Sequence, residues 1–234
     1  MSTLLFREDA YARETPAVVT AVDERGIQLD RTVFYPTGGG QPGDAGVLHS
    51  AAGDIAIANT VKGDGPDEVI HVPASGSRSA VPGETVSAEI DWTRRHRLMR
   101  FHTALHLLCA IVPGGVTGGS IGEDKARLDF DVATDSLDKA AIESRLNALI
   151  AAAHPVVPRW IADEELAGRP ELVRTMSVQP PVGHGRVRLL DIEGVDLQPC
   201  GGTHVRNTAE IGPVTITKIE NKGRQNRRII IGLA

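Results

Sequence analysis

The stretch Asp91-Trp-Thr-Arg-Arg-His-Arg-Leu-Met-Arg100-Phe-His-Thr-Ala-Leu-His-Leu-Leu-Cys-Ala110-Ile-Val112 divides the chain into two kinds of sequence. Counting from Leu98, apolar Phe101, Leu105, Leu108, Cys109 and Val112 follow at offsets 3, 7, 10, 11 and 14. That spacing gathers them on one side of a helix. Pro113-Gly114-Gly115 stops it. Upstream, from Thr15 to Trp92, no helical period appears. Short β-favouring runs stand there instead, at 17–22, 26–29, 32–34, 46–49, 54–57, 68–72 and 85–90, with Gly and Asp between them. They predict a small antiparallel barrel or sandwich. Downstream, the spacing predicts a strand over 126–130 and a helix from Ser136 to about Ala153. Ile142, Leu146, Leu149 and Ile150 form its stripe, Thr134, Asp135 and Ser136 offer caps, and Pro155 ends it. Strands over 156–161 and 186–190 flank a short acidic helix at 163–167, and strands over 213–217 and 228–231 flank the basic turn Asn221-Lys-Gly-Arg-Gln225. Without a regular βαβ rhythm this half is α+β. The predicted fold is therefore α+β, with an N-terminal small antiparallel β-barrel over 1–91 and an α/β two-layer domain over 92–234.

The composition agrees: 234 residues, 41% hydrophobic and 24% charged, describe one or two globular domains. Aromatic residues are only 3%, and Gly and Pro together number 39, so Val, Ile, Leu and Ala must supply the core. No run of 18 apolar residues exists, and Phe6-Arg-Glu-Asp9 stands where a signal peptide would be apolar. Two cysteines, Cys109 and Cys200, cannot staple a secreted domain, so a cytoplasmic protein away from membranes is expected. A net charge of −5 argues against indiscriminate nucleic-acid coating. Even so, the segments 94–100 and 218–228 hold 9 of the 25 Lys and Arg residues in 18 positions. They are either two solvated faces or a phosphate-contacting stripe that includes Arg94, Arg95, Arg227 and Arg228.

Chemistry concentrates at two places. His102 and His106, spaced i and i+4, leave one side of the helix one turn apart and can converge on an ion. Thr103 stands where a zincin protease would carry Glu. Far downstream, Pro199-Cys200-Gly201-Gly202-Thr203-His204 puts a thiolate and an imidazole on one turn, which the two glycines can curl through angles closed to other residues. Together these give a His3Cys set, His102, His106, Cys200 and His204, whose soft sulfur and imidazoles suit Zn2+ rather than Mg2+ or Ca2+. Cys109 reads as a core residue. Gly38, Gly40 and Gly43 formally satisfy a dinucleotide-type G-x-G-x-x-G, but Pro42 and Asp44-Ala-Gly46 break the helix it would need. That loop is either a tight connection between strands or part of a cleft.

Four motifs, His102-Thr-Ala-Leu-His106, Cys200-Gly-Gly-Thr-His204 with Glu210-Ile-Gly212, Asn221-Lys-Gly-Arg-Gln-Asn-Arg-Arg228, and Phe34-Tyr-Pro-Thr-Gly-Gly-Gly-Gln-Pro-Gly-Asp44, occur in an order that resembles the AlaX family. These are freestanding relatives of the alanyl-tRNA synthetase editing domain, and the Gly-rich motif is similar to that of the longer, AlaX-M-like members. The resemblance covers almost the whole chain. It implies an editing domain over 92–234 with one zinc, and hydrolysis of tRNA(Ala) charged with the wrong amino acid, serine first and glycine second. It also implies that Gly38, Gly39, Gly40 and Gln41 help position the acceptor end. Thr117, near Ser120, is the implied polar selector, with His102 and Cys200 beside it in the catalytic set. The segment Thr117-Gly-Gly-Ser120 to Arg127-Leu-Asp-Phe130 departs from the family pattern, which leaves amino-acid selectivity open. A separate hydrolytic sieve makes physical sense, because an apolar pocket rejects an added hydroxyl only about 10²-fold. Four protein ligands would close a zinc site that catalysis needs open. Either one ligand is loose, the coordination expands to five, or the metal orders the pocket. A non-enzymatic zinc-stabilised tRNA- or partner-binding module stands as a rival, as does a fragment like the threonyl-tRNA synthetase editing domain. Oligomeric state is left open.

Overall fold

The structure is a computed structural model that describes residues 2–65, 67–132, 137–175 and 185–234. In chain order it comprises β1 (Thr3–Leu4), β2 (Glu14–Asp23), β3 (Gly26–Leu29), β4 (Arg31–Thr32), β5 (Gly46–His49), β6 (Ile55–Lys62), β7 (Val69–Pro73), β8 (Thr85–Ile90), α1 (Trp92–Ile111), β9 (Gly115–Ile121), β10 (Ala126–Asp131), α2 (Lys139–Ala151), β11 (Val156–Ala162), α3 (Asp163–Ala167), β12 (Arg186–Ile192), β13 (Asp196–Pro199), β14 (Val214–Asn221) and β15 (Asn226–Leu233). The chain forms two compact units that meet in sequence between Leu98 and Met99.

In the first unit six strands close an antiparallel barrel in the order β2-β3-β7-β6-β5-β8. Alternation along β2 buries Ala17 and Val19, which join Ile27, Leu48, Ile55, Ile57, Val86 and Ala88 in an aliphatic interior. The run expected over 32–34 is not a barrel strand. Arg31–Thr32 instead pairs in parallel with Thr3–Leu4. The cause is local: Thr32 Oγ1 bonds His71 Nε2 at 2.8 Å and accepts the Phe34 N–H at 3.0 Å, which ends the strand and turns Phe34 into the core.

His71 is wholly buried, and its Nδ1 bonds Ile27 O at 3.0 Å. Burial outweighs that bond and drops the imidazole to about 4. An unfolded chain takes up this proton near pH 6.5, whereas the folded one resists until about 4. The burial therefore costs nothing at neutral pH, and stability falls as pH drops through that window, by about 3 kcal/mol. Denaturation midpoints between pH 7 and 4 should fall in the wild type and fall less in His71→Gln. Parallel curves would assign the loss to other groups.

The Gly-rich stretch is a tight turn. Gly38 and Gln41 exchange both backbone hydrogen bonds at 3.0 Å, around Gly39 and Gly40 at φ +57° and +83°. Two successive positive φ values make this a two-residue hairpin turn that glycine adopts without strain. No helix opens there, in line with Pro42.

The second unit holds two antiparallel sheets, β14-β15-β10-β9 and β11-β12-β13. Strands β9 and β13 were not anticipated. β9 contains Gly118 and Gly119 and bulges at Thr117, the extra residue between the pairs Asp129–Gly118 and Phe130–Val116. α2 begins at Lys139 with Asp138 as its cap, accepting the Ala141 N–H at 3.0 Å, while Thr134, Asp135 and Ser136 lie outside the described residues. It ends at Ala151, before Pro155, with Ala153 at φ +55°. The α2 side chains reach β14: Asn147 Nδ2 donates to Val214 O at 2.8 Å, its Oδ1 accepts the Val214 N–H at 2.9 Å, and Glu143 Oε2 accepts the Ile216 N–H at 2.6 Å. Among the described residues no helix is long and apolar enough to cross a membrane.

Candidate metal centre

Helical spacing sets His102 and His106 side by side on α1, with ring centroids 5.4 Å apart. His204 packs against both, at 4.2 and 5.0 Å. Cys200 Sγ lies 3.2 Å from His204 Nε2 and 3.6 Å from His102 Nε2. One donor atom from each of the four residues lies within 4.8 Å of the others, so the cluster can hold a metal ion.

The surrounding groups fix which atoms point inward. Thr103 Oγ1 donates its one proton to Met99 O at 3.0 Å, so toward His204 it can only accept, and His204 Nδ1 must be the protonated nitrogen at 3.2 Å. Nε2 is left bare for a metal. His106 Nδ1 bonds Asp196 Oδ2 at 3.0 Å, and Gln198 Nε2 donates to the same oxygen at 2.6 Å. A carboxylate behind a metal-binding imidazole is the usual way of orienting the ring and raising its basicity. Burial disfavours a charge on His106, but the Asp196 carboxylate and the Cys200 sulfur outweigh it and lift the ring to about 10. Burial would likewise raise Cys200. The His102 and His204 imidazoles overcome it and hold the thiol well below its ordinary range. Burial, followed by the neighbouring His102, keeps His204 well below its ordinary value. The Cys200 thiolate and neutral His204 are the ligand forms a metal requires, whereas His106 has to release a proton to bind one.

The turn that carries Cys200 is shaped differently from the expectation. Neither Gly201 nor Gly202 adopts a positive φ. Arg188 on β12 holds the turn, donating from Nη1 to Cys200 O at 2.8 Å and Gly202 O at 3.0 Å. Cys109 is buried, and burial pushes its thiol up to about 12, in keeping with a core role.

Residues 187–230 match the family described as the threonyl and alanyl tRNA synthetase second additional domain, and residues 7–94 match class II (A) tRNA synthetases. The alanyl-tRNA editing protein AlaX-M of Methanosarcina acetivorans is 37% identical over 247 residues, covering 100% of this chain and 99% of its own. The chain belongs to the AlaX family. A second AlaX-M protein, from Saccharolobus solfataricus, is 33% identical over 98% of both chains. This AlaX chain is also similar to the alanine–tRNA ligase of Metallosphaera sedula, 34% identical over 92% of its length but only 24% of the ligase.

The structure gives the other predicted site residues of this AlaX protein differing surroundings. Thr117 sits half-buried in the β9 bulge and donates to Asp129 O at 3.2 Å, while Ser120 is exposed on the same strand, opposite Arg127. Gly39 and Gly40 are exposed at the tip of their turn, Gly38 is half-buried, and Gln41 is buried. Arg94 donates to Gly43 O. Arg95 is 0% exposed and engages Asp44, Val33 O and Ala10 O, which puts it out of reach of a phosphate in solution. Arg227 is buried and holds the β14–β15 turn through Asn221 Oδ1 at 2.9 Å and Gly223 O at 3.0 Å. Arg228 grips Asp129 with Nε and Nη2 at 2.7 and 2.8 Å. Sequence reading missed Thr103, Asp196, Gln198 and Arg188 as supports of the centre. Only Thr103, one residue after His102, lies inside one of the four motifs.

Proposed function

We propose that this protein hydrolyses the ester that joins serine, and secondarily glycine, to tRNA(Ala), using one zinc ion held by His102, His106, Cys200 and His204. The observation that carries this is the convergence of a thiol and three imidazoles in a chain collinear with alanyl-tRNA editing proteins over its full length. Sulfur and imidazole donors suit zinc over harder ions. When bound there, zinc supplies Lewis acidity toward an ester carbonyl or lowers the pKa of a water. Editing is assigned to 92–234, and positioning of the tRNA end to 1–91 through the turn Gly38-Gly39-Gly40-Gln41. Ser120 lines the approach of the amino acid. Arg94 and Arg228 contact phosphate, while Arg95 and Arg227 shape the elements that carry them. The reaction takes place in the cytoplasm, where tRNA is charged.

Thr117 selects the amino acid. Its single proton goes to Asp129 O, so its oxygen is left to accept from the serine hydroxyl. Thr117→Val keeps the shape and removes that acceptor. One neutral hydrogen bond is worth about 0.5–1.5 kcal/mol, so the ratio of Ser-tRNA to Gly-tRNA cleavage should fall roughly 2- to 13-fold. Equal loss on both substrates would reduce Thr117 to a shaper of the bulge.

Four protein ligands fill a tetrahedral zinc shell, which favours a second reading: a zinc-stabilised tRNA-binding module without turnover. A panel of tRNA(Ala) charged with serine, glycine or alanine separates the two. Release of serine faster than glycine, with alanine spared, at catalytic protein concentrations supports hydrolysis. No release from any of the three leaves the binding module.

A further inference from the structure

We propose that Trp160 and Arg186 form a stacking platform for an unpaired base at the 3′ end of the tRNA, on the side of the β11-β12-β13 sheet that supports the metal centre. The proposal rests on the editing reading for its ligand and on sheet geometry for its place. Directly opposed residues in antiparallel strands share a side of the sheet. Trp160 opposes Arg188, Leu190 opposes Gln198, and Ile192 opposes Asp196. One side thus carries Trp160, Arg188, Gln198 and Asp196, and the last three hold the Cys200 turn and His106 in place. The other side carries Ile161, Val187, Leu189 and Leu197, which pack with Leu166 and Leu172 into a small apolar core.

On the metal side, at the outer strand, Trp160 is 39% exposed. The Arg186 guanidinium lies 4.4 Å from its ring centroid and makes no hydrogen bond or ion pair to any described residue. Arg159, the neighbouring cation, is already paired with Asp191 at 2.6 Å on the opposite side. An exposed indole with an unneutralised guanidinium over it is the combination that binds single-stranded nucleic acid: the ring stacks a base of any sequence and the cation meets the backbone. An ester linked to the 3′-terminal nucleotide that reaches the metal centre leaves the preceding unpaired nucleotides to follow the sheet outward, toward Trp160.

The test uses the zinc-loaded protein, with Trp160→Leu, Trp160→Phe and Arg186→Gln variants of matched zinc content. A hairpin RNA copying the tRNA(Ala) acceptor stem and ending in its single-stranded 3′ tail should quench tryptophan fluorescence in the wild type. The quench should be absent with the same hairpin trimmed of its tail, and absent in Trp160→Leu. Trp160→Leu should weaken hairpin binding roughly 5- to 160-fold, the size of one base–aromatic stack. Its KM for Ser-tRNA(Ala) should rise with kcat little changed, and Trp160→Phe should restore most of the binding. Equal quenching by trimmed and untrimmed hairpins, or unchanged affinity in Trp160→Leu, overturns the platform. Tail-dependent quenching in a protein that hydrolyses none of the charged tRNAs would sustain the platform and overturn the editing reading.

Discussion

Cys200→Ser is expected to yield protein that carries much less than one zinc per chain and has lost deacylation. Losing a supporting group behind a ligand typically costs about 10–100-fold in metal affinity, and losing the soft ligand itself should exceed that. Asp196→Asn provides the graded comparison. Asp196 Oδ2 accepts from both His106 and Gln198, while its Oδ1 is buried without a partner. An Asn can keep both accepted bonds with its oxygen while it loses the charge and buries an unpaired NH2 where Oδ1 was, so it should weaken zinc by about 10–100-fold and lower stability modestly. Elemental analysis and competition against a chelator measure both effects. Full zinc occupancy in Cys200→Ser, or an Asp196→Asn chain indistinguishable from wild type, would remove the centre as the seat of metal binding.

Arg95→Met should destabilise the barrel unit by about 3–5 kcal/mol, the usual cost of leaving one partner of a buried ion pair alone. Here the orphan would be Asp44, 1% exposed, which also accepts the Tyr35 N–H. Arg95 additionally satisfies Val33 O and Ala10 O at 2.7 and 3.0 Å. Adding Asp44→Leu should therefore recover only part of the loss: the stranded charge disappears, but the backbone groups remain unpaired. Urea unfolding of the two single variants and the double variant measures the coupling. A single variant within about 0.5 kcal/mol of wild type would show that the pair contributes no more than a surface contact.

What could be read from the chain in advance follows the range of the forces involved. The two histidines of α1 were legible because 3.6-residue periodicity places them, and Cys200 and His204 because a four-residue separation on one turn keeps them together whatever surrounds them. The barrel was legible from alternation, as along β2. Arg95 reads as one cation in a basic run because its partner lies 51 residues away in the Gly-rich segment, and no local pattern distinguishes a buried guanidinium from a solvated one. Strand β9 was hidden by Gly118 and Gly119, residues that weaken a strand unless a bulge makes use of them. Asp196 and Gln198 become supports of the candidate metal ligands only through the register of β12 against β13, a pairing set by tertiary context.

The reach of Asn147 and Glu143 onto β14 also bears on how the protein behaves in a crowded solution. A sheet margin with vacant N–H and C=O groups templates any extended segment that drifts past, and it seeds association between copies. Both groups of Val214 and the N–H of Ile216 are already occupied by α2 side chains. A foreign strand approaching those residues would have to displace helix side chains before bonding there, so α2 guards the beginning of β14 against templating.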